Sequence, residues 1–177
     1  KDYFQSKFTE LKSEMGSKNF KESSNVHLQI MKELDVFNTL REFLYDFSVS
    51  NLGYKGSIDN YYLVSRKVSP GEVKEKYRAH FDSHLFTIVF PVNIPEAKNE
   101  DCGELIYFPN VRNNPRNEIE NLFGKIYYKK YANKDAIERL SQKHEMHTEN
   151  FEDYSPLLFR GNTFLHTNKG VSSRADN

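Results

Sequence analysis

The spacing of apolar residues changes near residue 57, and this change limits the folds open to the chain. Before it, apolar residues recur at helical spacing, which predicts amphipathic helices. The first stripe is ended by Gly16 and consists of Phe4, Phe8, Leu11 and Met15. The second is expected to end before Gly53, with cap candidates Ser23, Ser24 and Asn25 and with Ile30, Leu34, Phe37, Leu44 and Phe47 on one face.

Beyond residue 57 the pattern predicts short strands separated by proline and glycine. Apolar and β-branched residues cluster in segments of strand length, and turn residues lie between them. The expected strands are Tyr61–Val64, one beginning over Tyr77–Phe81, Leu85–Ile94, Leu105–Phe108, Leu157–Phe159, Thr163–His166 and Val171–Arg174, with a turn at Ser69-Pro70-Gly71. Helices followed by many strands predict an α+β, mainly β chain, built as a helix-supported β-sandwich or jelly roll.

The segment 111–155 interrupts these strands with helical spacing. The apolar positions that recur there after Pro115 are Ile119, Leu122 and Ile126, followed by Ile137 and Leu140 in a charged second helix. We expect this segment to form a helical insertion between strands, which would border any ligand site of the β core and close over it. A length of 177 residues predicts a single domain, with supporting helices over 1–56 and a β core over 57–177.

Composition argues against several classes of function. Lys plus Arg and Asp plus Glu number 25 each, so no net charge attracts the chain to nucleic acid or to an anionic membrane. Cys102 is the single cysteine, and no apolar stretch approaches the ~20 residues of a membrane span. Residues 1–20 also lack the apolar centre of a signal peptide, so we expect a cytoplasmic protein. The absence of a net charge favours a small or local binding partner. The sequence leaves the oligomeric state open.

A His-x-Asp pair and a distant histidine are the residues best suited to chemistry. His80 and Asp82 can converge on one cation from a strand end, but such a pair alone is weak evidence because surface pairing usually explains it. His166 lies far downstream on a short apolar segment and can supply a third ligand. Two imidazoles and one carboxylate on a face of octahedral iron leave positions open for a bidentate 2-oxo acid and dioxygen.

Other histidines offer alternatives to this ligand set. His84 makes a second triple with His80 and Asp82, suited to a cupin-like or zinc site. Three ligands on one strand would crowd a tetrahedral ion, so we prefer His166. His27 is interpreted as structural. His144 and His147 are close enough in the chain to hold a metal, but we interpret them as solvated residues.

Further motifs surround the proposed ligands. They are Ser69-Pro70-Gly71, Tyr77-Arg78-Ala79-His80-Phe81-Asp82, Thr87, Asn93, Cys102-Gly103-Glu104-Leu105-Ile106-Tyr107-Phe108-Pro109 and the segment from Gly161 to Arg174. Together they resemble the core of the prolyl-4-hydroxylase-like 2-oxoglutarate oxygenases, over about 58–109 and 156–174. The chain departs from that family at Pro91, where relatives often carry a tyrosine for the co-substrate, and at Cys102, which replaces the first glycine of a Gly-Gly pair.

The resemblance implies a double-stranded β-helix that uses iron(II), 2-oxoglutarate and dioxygen, releases succinate and carbon dioxide, and takes ascorbate as an accessory reductant. The expected reaction is hydroxylation of an unactivated C–H bond in a small molecule or in a protein side chain such as proline. Arg174, on the strand expected after His166, would clamp the far carboxylate of 2-oxoglutarate through a bidentate pair. Thr87 is either a lining residue of the co-substrate pocket or an ordinary strand residue.

Two other classes of function compete with the oxygenase: a cupin-like metal protein with other chemistry and a non-catalytic jelly-roll binding module. Arg174 favours the oxygenase over the cupin-like metal protein, because a simple zinc site has no role for a basic residue shortly after the distal histidine. A metal-dependent absorbance change on anaerobic addition of 2-oxoglutarate would distinguish the oxygenase from the non-catalytic binding module.

Overall fold

A computed structural model describes residues 2–22, 24–72, 76–95 and 101–175, which form a mixed α+β fold. The helices are α1 (Asp2–Met15), α2 (Asn25–Glu33), α3 (Asp35–Leu52), α4 (Glu118–Tyr128) and α5 (Lys134–Ser141), with a 3-10 turn at Lys129–Tyr131. The strands are β1 (Phe20–Glu22), β2 (Val64–Arg66), β3 (Thr87–Val89), β4 (Leu105–Phe108), β5 (His147–Glu149), β6 (Leu157–Phe159) and β7 (Leu165–Asn168).

The strands form three small antiparallel sheets, ordered β1-β2, β3-β6 and β5-β4-β7. Neither a closed sheet nor a jelly roll is found within the described ranges. The expectation of a mainly β chain is wrong for these residues, because the helices contain more residues than the strands, each of which has only three or four.

By internal contacts the chain divides into two compact units, Lys1–Lys67 and Val68–Asn177. The division falls later than the boundary expected at residue 57, because β2 pairs with β1 inside the first unit. Sequence reasoning missed β1, and it placed the β2 strand over Tyr61–Val64 rather than Val64–Arg66. The interpretation of the whole chain as one domain stays a prediction.

In the first unit, the second helical run is two helices rather than one. Leu34 separates α2 from α3 with extended backbone angles, φ −114° and ψ 92°. Asp35 opens α3, where a carboxylate stabilises the positive end of the helix dipole and favours a new helix start. α1 ends before Gly16 and α3 ends before Gly53, both as predicted. The cap candidate Ser23 and the side chain of Phe4 lie outside the described residues.

His27 completes the N-terminal cap of α2. Its backbone N–H donates to Ser24 Oγ at 3.2 Å, and the Ser24 N–H donates to His27 Nδ1 at 3.1 Å. Because Nδ1 accepts a hydrogen bond, the ring proton is on Nε2, which donates to Ser65 Oγ at 2.7 Å. Burial lowers the pKa of the imidazole. The neutral ring is therefore the form that this cap requires.

We expect the His27 cap to lose its contribution to stability as the pH falls below about 6.5, the ordinary pKa of imidazole. The pKa of His27 is lower in the folded chain than in the unfolded chain. The stabilisation by the cap is therefore fully present above the unfolded pKa and is lost as the pH falls through the folded pKa. Nitrogen NMR, with the resonances assigned through His27→Gln, should show a depressed pKa and a proton on Nε2. A pKa at or above that of free imidazole would contradict this account.

The second unit is organised around β4, which lies between β5 and β7. Successive side chains of a strand point to opposite faces, so β4 contributes to two cores. Ile106 and Phe108 belong to one, whose other buried members are Tyr77, Ala79, Phe81, Ile137, Leu140 and Leu165. Leu105 belongs to the other, with Phe151 and Phe159. The proposed site lies on the second face, where Tyr107 is directly opposite His166.

Several predictions for this unit are confirmed. β4 and β6 have the predicted bounds. The turn at Ser69-Pro70-Gly71 is present, since the Glu72 N–H donates to Ser69 O at 3.0 Å and Gly71 takes a left-handed φ of 74°. A side chain at Gly71 would be strained in that conformation.

The strands that lead into the site are shorter than predicted. Of Leu85–Ile94 only β3 is strand, and Pro91 has no N–H with which to extend the ladder. The segment Tyr77–Phe81 makes only one β-bridge, from His80, because Tyr77 has a φ of 54° and breaks the extended conformation. The backbone on either side of His80 and Asp82 is therefore largely irregular rather than strand.

The closing strands also differ from the prediction. β7 begins at Leu165 rather than Thr163, because a turn precedes it in which the N–H groups of Thr163 and Phe164 both donate to Arg160 O. The expected strand Val171–Arg174 is reduced to a bridge between Val171 and Cys102. Ser172 forms a turn instead, accepting from Arg174 N–H at Oγ and from Ala175 N–H at its carbonyl.

The segment 111–155 contains the predicted helices α4 and α5 but is not helical throughout. β5 lies near its end and pairs with β4 from Leu105 to Tyr107. This strand covers an edge of β4 that would otherwise present unpaired backbone groups. His147 therefore lies on a strand.

Candidate metal centre

Three side chains from two segments of the second unit converge: His80, Asp82 and His166. His80 and His166 exchange backbone hydrogen bonds, with N–H to O distances of 3.0 and 3.1 Å. Residues directly opposite each other in an antiparallel pair point to the same face. One ligand atom from each of the three residues lies within 4.8 Å of the other two. The predicted grouping is therefore present, and the group can hold a metal ion.

The carboxylate of Asp82 faces both imidazoles. His80 Nε2 lies 3.7 Å from Oδ1, and His166 Nε2 lies 3.6 Å from Oδ2. The two rings are 4.4 Å apart between centroids. Ligands held ~2.1 Å from one ion are about 3 Å apart when they subtend a right angle, so small side-chain rotations bring the three onto a common ion.

Both imidazoles are oriented by backbone carbonyls. His80 Nδ1 lies 2.8 Å from Arg78 O, and His166 Nδ1 lies 3.1 Å from Phe164 O. A carbonyl only accepts, so we assign the proton to Nδ1 on each ring, which leaves the Nε2 lone pair for a ligand. Ligating histidines in metal sites are commonly oriented in this way.

Asp82 is held by a neighbouring strand and by a turn. Thr87 Oγ1, on β3, donates to Asp82 Oδ2 at 2.5 Å. The Asp82 N–H donates to Gly161 O at 2.9 Å. Thr87 thus orients the carboxylate, and its predicted place in a co-substrate pocket stays a prediction.

Access to the group is uneven. The side chain of His80 is 39% exposed, that of Asp82 is 19% exposed and that of His166 is 8% exposed. Phe159 closes the buried end, with its ring edge-on to His166 at 4.9 Å between centroids. A small molecule would therefore approach from the side of His80.

Position 161 must be glycine, because a side chain there would collide with two residues of the site. A Cβ there would lie 2.9 Å from Asp82 Oδ2 and closer still to Thr87 Oγ1. No L side chain fits without moving one of these residues. In the sequence, Gly161 opens the segment that resembles the family's closing strands, but its role beside Asp82 was not predicted.

We expect Gly161→Ala to weaken metal binding by about 10-fold to 100-fold, the usual cost of disturbing a group that orients a ligand. Cobalt(II) titration measures this, with circular dichroism as the test of folding. Gly170→Ala is the matched control, because its added Cβ would meet the flexible side chain of Lys76 at 3.1 Å. Parent-like affinity in Gly161→Ala would contradict the crowding argument.

The alternative histidines do not belong to this group. His166, and not His84, completes the triple that the described residues form. Burial lowers the pKa of His84. His147 lies against Glu145, with Nε2 to Oε1 at 3.2 Å, and stacks on Tyr107 at 5.1 Å between centroids. His144 follows α5 and donates its backbone N–H to Leu140 O.

Arg174 lies in the turn after Val171, with an exposed side chain. Its backbone N–H donates to Ser172 Oγ at 3.1 Å. The strand that was expected to carry it beside His166 is not formed, so the sequence argument for its position no longer applies. Its role at a co-substrate stays a prediction.

The donor set of two neutral imidazoles and one carboxylate fits a divalent transition metal such as iron or zinc. Comparison of the chain with known protein families, curated proteins and solved structures found no match. Within the described part of the chain, no helix combines the length and the apolar character that crossing a membrane requires.

Proposed function

We propose that the chain is an iron(II)- and 2-oxoglutarate-dependent oxygenase that hydroxylates a C–H bond of a small molecule or of a protein side chain such as proline. The observation that carries the proposal is the group of His80, Asp82 and His166, with ligand atoms within 4.8 Å of one another. A facial set of this composition leaves coordination positions for a 2-oxo acid and dioxygen. The motifs around these residues, which resemble the prolyl-4-hydroxylase-like oxygenases, support the choice of iron over zinc.

The described strands of the second unit are too short to form a complete jelly roll, but we propose that this unit has the topology of the double-stranded β-helix of that family. Two small sheets meet at the ligands: Thr87 of β3 bonds to Asp82, and Phe159 of β6 packs on His166 of β7. Isolated bridges continue the pairing from His80 to His166 and from Cys102 to Val171. These contacts are those expected of two facing sheets whose strands are short.

The chain's own residues hold and shield the reacting centre. When bound, iron(II) with 2-oxoglutarate and dioxygen would supply the oxidising chemistry that an unactivated C–H bond requires. His80 and His166 would bind the ion through Nε2, while Thr87 holds the Asp82 carboxylate towards both rings. Phe159 excludes water behind His166, and the exposed edge of His80 leaves a route for substrate.

The co-substrate would be held by a cation, which we assign to Arg174. The assignment is supported by the resemblance and by the capacity of a guanidinium to bind a carboxylate through two parallel hydrogen bonds. Asp82 favours hydroxylation over halogenation, because halogenating enzymes of the kind that this chain resembles lack that carboxylate ligand.

Succinate formation tests the proposed function. Protein reconstituted with iron(II) and supplied with 2-oxoglutarate, ascorbate and oxygen should form succinate slowly, and faster when a screened compound or peptide is a substrate. His166→Ala, which removes a ligand, should form none above a protein-free control. Absence of succinate across amino-acid and prolyl-peptide substrates, from protein that retains iron, would contradict the proposal and favour other metal chemistry.

A further inference from the structure

Arg112 joins the helical insertion to the turn that supports Asp82. Its Nε donates to Asn162 O at 2.8 Å. Its terminal nitrogens donate to Asn121 O at 3.3 Å and to Asn121 Oδ1 at 2.8 Å. Asn121 belongs to α4, and Asn162 directly follows Gly161. One guanidinium thus connects the two segments.

The same guanidinium lies over the residue between two proposed ligands. The Cζ of Arg112 is 3.9 Å from the ring centroid of Phe81, which separates His80 from Asp82 in the chain. Phe81 is 2% exposed, so this cation-π contact is shielded from water. Burial lowers the pKa of Arg112, but a guanidinium remains charged at neutral pH.

The two asparagines that accept hydrogen bonds from Arg112 are buried, and Arg112 itself is half-buried. Asn121 is 7% exposed and Asn162 is 4% exposed. Asn162 is held further by Asn114, whose Oδ1 accepts from Asn162 Nδ2 and, at 3.1 Å, from Arg160. Charged groups that are withdrawn from water need such partners, and a planar guanidinium fixes their directions.

Two more side chains of α4 contact the residues on either side of Asp82. Tyr128 packs edge-on against Phe81, with ring centroids 5.1 Å apart. Lys125 Nζ donates to the hydroxyl of Ser83. The helix is therefore attached to the segment that carries the ligands at several points.

We propose that Arg112 is a positioning residue for Asp82, through which the insertion forms part of the metal site; this rests on the proposed metal-binding function. The path is short. Arg112 fixes the turn at Asn162, the carbonyl of Gly161 in that turn accepts the Asp82 N–H, and Gly161 packs against the Asp82 carboxylate. Disturbing Arg112 therefore shifts the carboxylate without removing any ligand.

Cobalt(II) binding to the full chain tests this proposal, because its visible spectrum reports the geometry of the ligands as well as the affinity. Arg112→Lys keeps the charge but cannot donate to both asparagines in the same directions. We expect about 10-fold to 100-fold weaker binding and an altered spectrum, as for other groups that orient a metal ligand. Arg139→Ala, which removes an exposed arginine from α5, is the matched control and should behave like the parent.

A second variant and a measurement on the metal-free protein keep the proposal testable if Arg112→Lys does not fold. Asn121→Ala leaves the guanidinium in place and removes its Oδ1 acceptor, so it should give a smaller loss in the same direction. In the apo protein, hydrogen exchange of the Asp82 amide should be faster in both variants than in the Arg139→Ala control.

The outcomes separate the two proposals. If the parent binds cobalt and both variants match its affinity, spectrum and Asp82 amide protection, the positioning role is wrong while the metal site stands. If the parent binds no divalent metal, the proposed function and this inference are both overturned. A change of affinity without a change of spectrum or of Asp82 protection would also overturn the positioning role, since it would show that Arg112 acts only on general stability.

Discussion

Asp82→Ala should abolish iron retention and, with it, all turnover of 2-oxoglutarate. Asp82 is the only anionic member of the group and faces both imidazoles, so its loss leaves two neutral nitrogens to hold a divalent ion. The loss should exceed the roughly 100-fold upper cost of removing a group that merely orients a ligand. Metal analysis after gel filtration measures it, alongside circular dichroism to show that the variant is folded.

Asp135→Ala is a suitable control for this variant. Asp135 is an exposed carboxylate in the first turn of α5, in the same unit as the proposed ligands. The control should retain iron like the parent protein. Stoichiometric iron in folded Asp82→Ala would show that the metal is held elsewhere.

Arg174→Ala should raise the requirement for 2-oxoglutarate strongly while leaving iron binding nearly intact. Losing one partner of a desolvated charge pair costs about 2–5 kcal/mol, or roughly 30-fold to several thousand-fold in binding. The Arg174 side chain is exposed, so the full effect requires the bound co-substrate to exclude water from the pair. Anaerobic titration that follows charge-transfer absorbance, with metal content measured separately, distinguishes the two affinities.

Arg139→Ala again serves as the control for a lost surface charge. If Arg174→Ala binds 2-oxoglutarate like the parent, a different cation holds the far carboxylate. The next candidates are Arg78 and Arg160, which both belong to the second unit. Arg160 directly precedes Gly161 and donates to Asn114 Oδ1.

The residues that form the candidate site could be predicted because they are chemically rare. A His-x-Asp pair and a distant histidine on an apolar segment limit the choice to a few combinations, and the structure groups the preferred one. The roles of Thr87 and Gly161 could not be predicted. Both depend on how closely two segments approach Asp82, and spacing along the chain carries no information about that distance.

The elements of the fold were predicted better than their bounds. Helical periodicity gave α1 and α4, since apolar spacing over several turns is a strong signal. Strand length depends on single residues, such as the missing N–H of Pro91 or the left-handed Tyr77. β5 was missed because its pairing with β4 is long-range and its three residues, His147 to Glu149, carry no apolar alternation.

The most direct test of the central claim is anaerobic addition of 2-oxoglutarate to the iron(II)-loaded protein, followed by visible absorbance. Chelation of the 2-oxo acid to iron held by His80, Asp82 and His166 should produce a charge-transfer band that requires both components. The band should be absent from His166→Ala and unchanged in Arg139→Ala. Iron-loaded protein that gives no band at saturating 2-oxoglutarate would contradict the assignment of this chain as a 2-oxoglutarate-dependent oxygenase.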